Sequence, residues 1–102
     1  MEKVEHQKLV GPVIRGIDQE IIEALLIAIA DDNPDAELFY EDHSGYVRIH
    51  TLWRCRVTRK SMEAALGRSF RLSELEPSLS AFAVRMRSVG DEELEWYLER
   101  ED

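Results

Sequence analysis

The spacing of apolar residues changes twice along the first half of the chain. Val10-Gly11-Pro12-Val13-Ile14-Arg15 is a short apolar run that predicts a strand over 10–15. Pro12 has no N–H to give to a ladder, which assigns this strand to a sheet edge, and Gly16 ends it. Asp18 can cap a helix, and after it Ile21, Ile22, Leu25, Leu26 and Ile29 recur on one face at helical period. Asp31-Asp32-Asn33-Pro34 stops that helix. Residues 36–41 then read as a strand, Asp42-His43-Ser44-Gly45 as a turn and 46–51 as a second strand, so a hairpin follows the helix. The order is βαββ.

The second half repeats it. Residues 54–58 predict a strand and 61–66 a short helix that Gly67 ends at a left-handed cap. Ser73-Glu74-Leu75-Glu76 has capping-box spacing, and Leu75, Leu79 and Phe82 then share a helical face, with Pro77 in the first turn. Residues 84–89, a Gly90-Asp91 turn and residues 93–98 form a closing hairpin. Its alternation places Leu94, Trp96 and Leu98 inward and Glu93, Glu95, Tyr97 and Glu99 outward. The expected fold class is α+β: two tandem βαββ units forming sheet packed with helices, in one domain of 102 residues.

Charge refines this picture. The net charge of −8 argues against nucleic acid as the main partner, because phosphate binding needs clustered Lys and Arg. The distribution is uneven: residues 46–72 carry 7 basic and 1 acidic side chain, while 1–45 and 91–102 are strongly acidic. A basic middle between acidic ends is either surface paired within the fold or an electrostatic docking face. The apolar run at 21–30 is broken by Glu23 and falls short of the ~20 residues that cross a bilayer. Residues 1–9 alternate charged and apolar types without the apolar stretch of a signal peptide, and are expected to be a flexible arm before a folded domain at 10–102. Cys55 is the single cysteine, so no internal disulfide is possible and a cytoplasmic location, away from membranes, is expected.

Catalytic chemistry finds no constellation in the sequence. His6, His43, His50 and Cys55 form no C-x-x-C, H-x-x-x-H or H-E-x-x-H spacing, so no metal is expected. Asp31, Asp32 and Asp35 lack the glycine and glutamate of a calcium loop and read instead as a solvated helix end. Cys55 lies mid-strand between Arg54 and Arg56, where it is either an activated thiol or a buried structural residue. Glycine-rich nucleotide cradles are missing, so no cofactor and no catalytic residue is expected. Two features stand out. Tyr46 and Arg48 share one face of a strand whose other face is Val47 and Ile49, either as plain sheet surface or as a presented polar face. Leu52-Trp53 sits where the chain must reverse, a place normally given to Gly, Asn or Asp, and either folds back on the body or is an exposed apolar contact.

Read in order, Gly11-Pro12-Val13-Ile14-Arg15-Gly16, Asp32-Asn33-Pro34, Tyr46-Val47-Arg48-Ile49, Thr58-Arg59-Lys60, Leu66-Gly67-Arg68-Ser69-Phe70, Leu72-Ser73-Glu74-Leu75-Glu76 and Leu79-Ser80-Ala81-Phe82-Ala83 resemble one family. It is the effector proteins of bacterial multicomponent diiron monooxygenases, nearest those of toluene, phenol and alkene or isoprene monooxygenases, and the resemblance spans roughly residues 10–98. It implies a cofactor-free, non-catalytic protein that binds the diiron hydroxylase and adjusts oxygen activation, coupling and product regiochemistry. A Rieske-type ferredoxin and a reductase would be its functional partners. The chain departs from the pattern at Leu52-Trp53, where relatives look polar with a glycine, as in a tight turn.

Exposed strand faces and loops can meet a partner without unfolding the core. The expected partner-binding residues are therefore Asn33, Pro34, Tyr46, Arg48, Arg59 and Lys60. The alternative from another class is a small α+β metabolite-sensing regulatory domain.

Overall fold

The computed structural model describes residues 8–16, 18–79 and 85–98. Its elements run β1 (Leu9–Val10), β2 (Val13–Ile14), α1 (Gln19–Asp32), β3 (Phe39–Asp42), β4 (Val47–Leu52), β5 (Arg54–Thr58), α2 (Arg59–Leu66), a 3-10 helix (Leu72–Ser78), β6 (Arg85–Val89) and β7 (Glu93–Tyr97). The fold is α+β, and the two βαββ units are alike in pairing as well as in order. In the first, β4 is central, with β1 and β2 antiparallel along one edge and β3 antiparallel along the other. In the second, β7 is central between β5 and β6. Each unit thus places its last strand between the two that precede it, counting β1 and β2 as one split strand. The strands form two sheets rather than one, and α1 packs on both α2 and β5, so a single core spans the units.

The predicted first strand is split at Gly11-Pro12, yet its halves keep one register on β4, with Val10 opposite Thr51 and Val13 opposite Arg48. Pro12 cannot donate, but its carbonyl accepts from the Ile49 N–H at 3.1 Å. The backbones approach so closely that a β-carbon on Gly11, at φ 153°, would lie 2.0 Å from the Ile49 carbonyl oxygen. Leu9 is already in the ladder opposite Leu52 and the Lys8 carbonyl accepts from Trp53, so the folded part begins before residue 10. Residues 1–7 of the expected arm lie outside the described residues.

α1 buries Ile21, Ile22, Leu25 and Ile29, as its period requires. Asp18 is its N-cap through the backbone, its carbonyl accepting from Ile21 and Ile22 rather than its carboxylate reaching the turn. α2 starts at Arg59, earlier than predicted, because the Thr58 side chain accepts from the Ser61 N–H. It ends at Gly67 with φ 74°, the left-handed cap that was expected. The capping box predicted at Ser73 and Glu76 is not the one formed. Glu74 instead reaches back to the Arg71 N–H at 3.1 Å, and with Pro77 inside it the segment is a 3-10 helix. Phe82, predicted on its face, lies outside the described residues. In β7, Leu94 and Trp96 are buried as predicted and Leu98 is partly buried.

Candidate docking surface

The six residues expected to meet a partner fall into two groups. Tyr46 borders the N-terminal end of α1, sharing a cleft of about 330 Å³ with Gly16, Gln19 and Ile22. Asn33 is the C-cap at the other end of that helix. Fourteen residues at 1.5 Å each put about 20 Å between the two ends. Asn33, Pro34, Arg59 and Lys60 gather at the second end, because Asp32 and Asn33 bond the strand and turn that lead into α2. The structure therefore offers two patches rather than one.

At the first patch, the Tyr46 ring stacks on His43, centroids 4.8 Å apart, and the Arg15 guanidinium lies 5.9 Å from its centroid. The Tyr46 carbonyl accepts from the His43 N–H at 2.9 Å and closes the hairpin. Arg48 is half-buried, with its guanidinium 3.9 Å from the Glu41 carboxylate. Val47 and Ile49 face the core, so the predicted alternation holds, but His50, on the face of Tyr46 and Arg48, is buried as well. Burial first, and the positive charge of Arg48 second, push the His50 imidazole down to about 4.

The second patch is built on a seam between the two units. The Asp32 carboxylate accepts from the Thr58 N–H at 2.8 Å, the Thr58 hydroxyl at 3.1 Å and the Ser61 hydroxyl at 2.8 Å. The last residue of α1 thus satisfies groups at the start of α2. Asn33 donates from Nδ2 to the Ile29 carbonyl at 2.7 Å and the Arg56 carbonyl at 2.8 Å, and accepts at Oδ1 from the Arg56 N–H at 3.1 Å. Asp32 was expected on a solvated helix end; it is half-buried and joins the units instead. Asn33 likewise has its amide engaged within the chain, which leaves Pro34 and Lys60 as the exposed members of this patch. Arg59 pairs with Glu63 at 3.0 Å and with Asp91 and Glu92 at 3.6 Å. Sequence spacing could not show these cross-unit bonds, although the Asp32-Asn33-Pro34 triplet was their visible trace.

The basic middle pairs largely with the acidic C-terminal strand. Glu95 lies on the outer face of β7 as predicted, but it is buried there beneath Arg54 and Arg87, which bond its two carboxylate oxygens. Burial pushes its carboxyl up, but the Arg54 and Arg87 hydrogen bonds outweigh that and hold it below the usual carboxylate range. Arg56 pairs with Glu93 across the same strands at 3.1 Å. Cys55 is fully buried mid-strand, and burial pushes its thiol up to about 12, so at neutral pH it stays protonated and unreactive. Leu52 and Trp53 are exposed, which decides between the two readings of that turn.

Among the described residues, no group of three or more His, Cys, Asp or Glu could hold a metal ion, and no helix is long and apolar enough to cross a membrane. Asp32, Asn33, Arg54, Arg56, Arg59 and Arg87 are thus engaged within the chain, and Pro34 and Lys60 stand exposed at the second patch. The chain belongs to the MmoB/DmpM family, whose profile matches residues 8–97. It is 47% identical over 91 residues to the effector subunit of the alkene monooxygenase system of Xanthobacter autotrophicus (strain ATCC BAA-1158 / Py2), covering 89% of this chain and 87% of that protein. Two solved structures of the phenol hydroxylase–regulatory protein complex contain similar chains. One is 26% identical at a TM-score of 0.68, covering 89% of this chain and 99% of its own. The other is 31% identical at 0.60, covering 86% and 99%.

Proposed function

We propose that this chain is the effector subunit of a multicomponent hydrocarbon monooxygenase: a cofactor-free, non-catalytic protein that binds the diiron hydroxylase and adjusts its oxygen activation, coupling and regiospecificity. The observation that carries this is the 47% identity to an alkene monooxygenase effector subunit over nearly the whole chain, within a family profile covering residues 8–97. The physical requirement is differential binding. An effector changes the hydroxylase only if it binds one hydroxylase state more tightly than another, and a difference of about 1.4 kcal/mol shifts that equilibrium tenfold. No catalytic group is needed on the effector for this, and its place of work is the cytoplasm.

The docking residues belong to the proposal. Pro34 and Lys60 present exposed surface above the Asp32–Asn33 seam, and Asn33 and Arg59 hold that loop and helix start in position. Tyr46, at the far end of α1, and Arg48, two residues along on the same face, form the second contact area. The test is steady-state turnover and peroxide leakage of the hydroxylase with its ferredoxin and reductase, with and without this chain. At equimolar ratio, productive turnover should rise, and the chain alone should turn nothing over. Unchanged rate, coupling and product distribution would refute the role. Reversing the charge of Lys60 should weaken coupling without lowering the melting temperature; unchanged coupling would move the contact away from that patch.

A further inference from the structure

We propose that Trp53, with Leu52 beside it, is the anchor by which this chain recognises the hydroxylase of its own system, an inference that rests on the docking role above. Trp53 is the corner between β4 and β5, where the two sheets meet. Its backbone lies at φ 70°, a left-handed conformation that is free of cost for glycine and strained for a bulky side chain. The corner is held from both sides: its N–H donates to the Lys8 carbonyl at 2.7 Å and its carbonyl accepts from the Leu98 N–H at 3.4 Å. The ring does not compensate by filling the core. Trp53 is 48% and Leu52 40% exposed, and Trp53 borders an open cleft of about 460 Å³ with Arg54, Tyr97 and Leu98.

A tryptophan held in a strained corner with half its surface in water reaches full burial only when a second surface covers it. Buried aromatic anchors of this kind dominate protein interfaces. The rim fixes the chemistry of the partner. The Lys8 ammonium sits 4.8 Å from the ring centroid, and Arg54, which lines the same cleft, keeps more than half of its side chain exposed while pairing with the buried Glu95. An apolar knob with a basic rim fits an apolar depression edged by carboxylates, which is the feature assigned to the hydroxylase. A second copy of this chain is the poorer occupant, since two molecules of net charge −8 repel.

The experiment is titration of the purified hydroxylase component with the wild-type chain, Trp53→Gly, Trp53→Phe and Lys8→Gln, with melting curves and sedimentation of each. Glycine relieves the corner, so Trp53→Gly should melt at or above the wild-type temperature while binding the hydroxylase about 30-fold more weakly. Trp53→Phe should fall between, and Lys8→Gln should weaken binding a few-fold at low salt and not at high salt. Wild-type affinity in Trp53→Gly overturns the inference. So does weakened binding accompanied by a lowered melting temperature, which would make Trp53 a structural residue. A self-associated wild-type chain that Trp53→Gly dissociates, with hydroxylase affinity intact, gives the face to a second copy and also overturns it. Failure of the wild-type chain to bind refutes the docking role itself, and this inference with it.

Discussion

The two βαββ units share a topology and differ in what holds their sheets. The first relies on apolar burial and close backbone contact: Val10, Val13, Ile14, Val47 and Ile49 are buried, and Gly11 lets two strands meet where no side chain fits. The second buries Cys55, Val57, Leu94 and Trp96 on its inner face, but spends its outer face on charge pairs, Arg54 and Arg87 on Glu95 and Arg56 on Glu93. Its edge strand β6 is exposed along its whole length. One pairing scheme can thus be stabilised by packing or by cross-strand ion pairs. The first is insensitive to salt and intolerant of added volume, and the second adds a salt-sensitive outer face to an equally packed inner one.

The comparison can be broken most severely at Gly11. Gly11→Ala places a β-carbon 2.0 Å from the Ile49 carbonyl oxygen, which neither strand can yield without losing register. We expect more than about 4 kcal/mol of destabilisation, or no folded protein, by urea titration. The counterpart in the second unit is Trp96→Ala, which empties a buried site and should cost roughly 3–5 kcal/mol. A loss under about 1 kcal/mol would show that the second sheet stands on its charge pairs rather than on its inner face.

Between the units, Asp32→Ala should cost about 3 kcal/mol, because it leaves the Thr58 N–H and the Thr58 and Ser61 hydroxyls without their shared acceptor. If the units unfold as one body through this seam, the denaturation midpoint falls with an unchanged slope. A shallower or two-stage transition would mean that they separate.

Acid should distinguish the units by pH window. His50 is neutral when folded down to about 4, so as pH falls from about 6.5 to about 4 the unfolded chain takes up a proton that the native chain refuses. The first unit should therefore lose roughly 2 kcal/mol over that range, and His50→Gln should flatten the profile there. Glu95 has its folded carboxyl lowered instead. Its contribution is complete above the ordinary carboxylate range and is lost as pH falls through the lowered value. Glu95→Gln should cost about 1 kcal/mol, the smallest of these effects, and added salt should shrink the difference. Equal salt dependence in wild type and Glu95→Gln would remove ion pairing from the account of the second sheet.

Amphipathic period, caps and turn residues determined most of the element list. The face of α1, the hairpin predicted over 36–51 and formed over 39–52, the left-handed end of α2 at Gly67 and the inward Leu94 and Trp96 were all legible in the chain. Those signals are local: each is set by steric and hydrogen-bonding preferences within a few residues. The ordered motifs carried the family as well, because they recur along nearly the whole length. What escaped depends on which distant groups meet. Asp32 read as a solvated helix end, with no sign of α2 beside it, and the outward face of Glu95 was legible but not the two arginines from neighbouring strands that cover it. The capping partner of the 3-10 helix shifted two residues once Asp91 had taken the Ser73 N–H. The candidate site divided in the same way. Its residue types were evident in the sequence, but α1 set its two patches about 20 Å apart, and the corner between β4 and β5 left Trp53 in the open. Burial and charge pairing are properties of the assembled fold, and a linear pattern fixes the face a side chain takes without fixing what will lie against it.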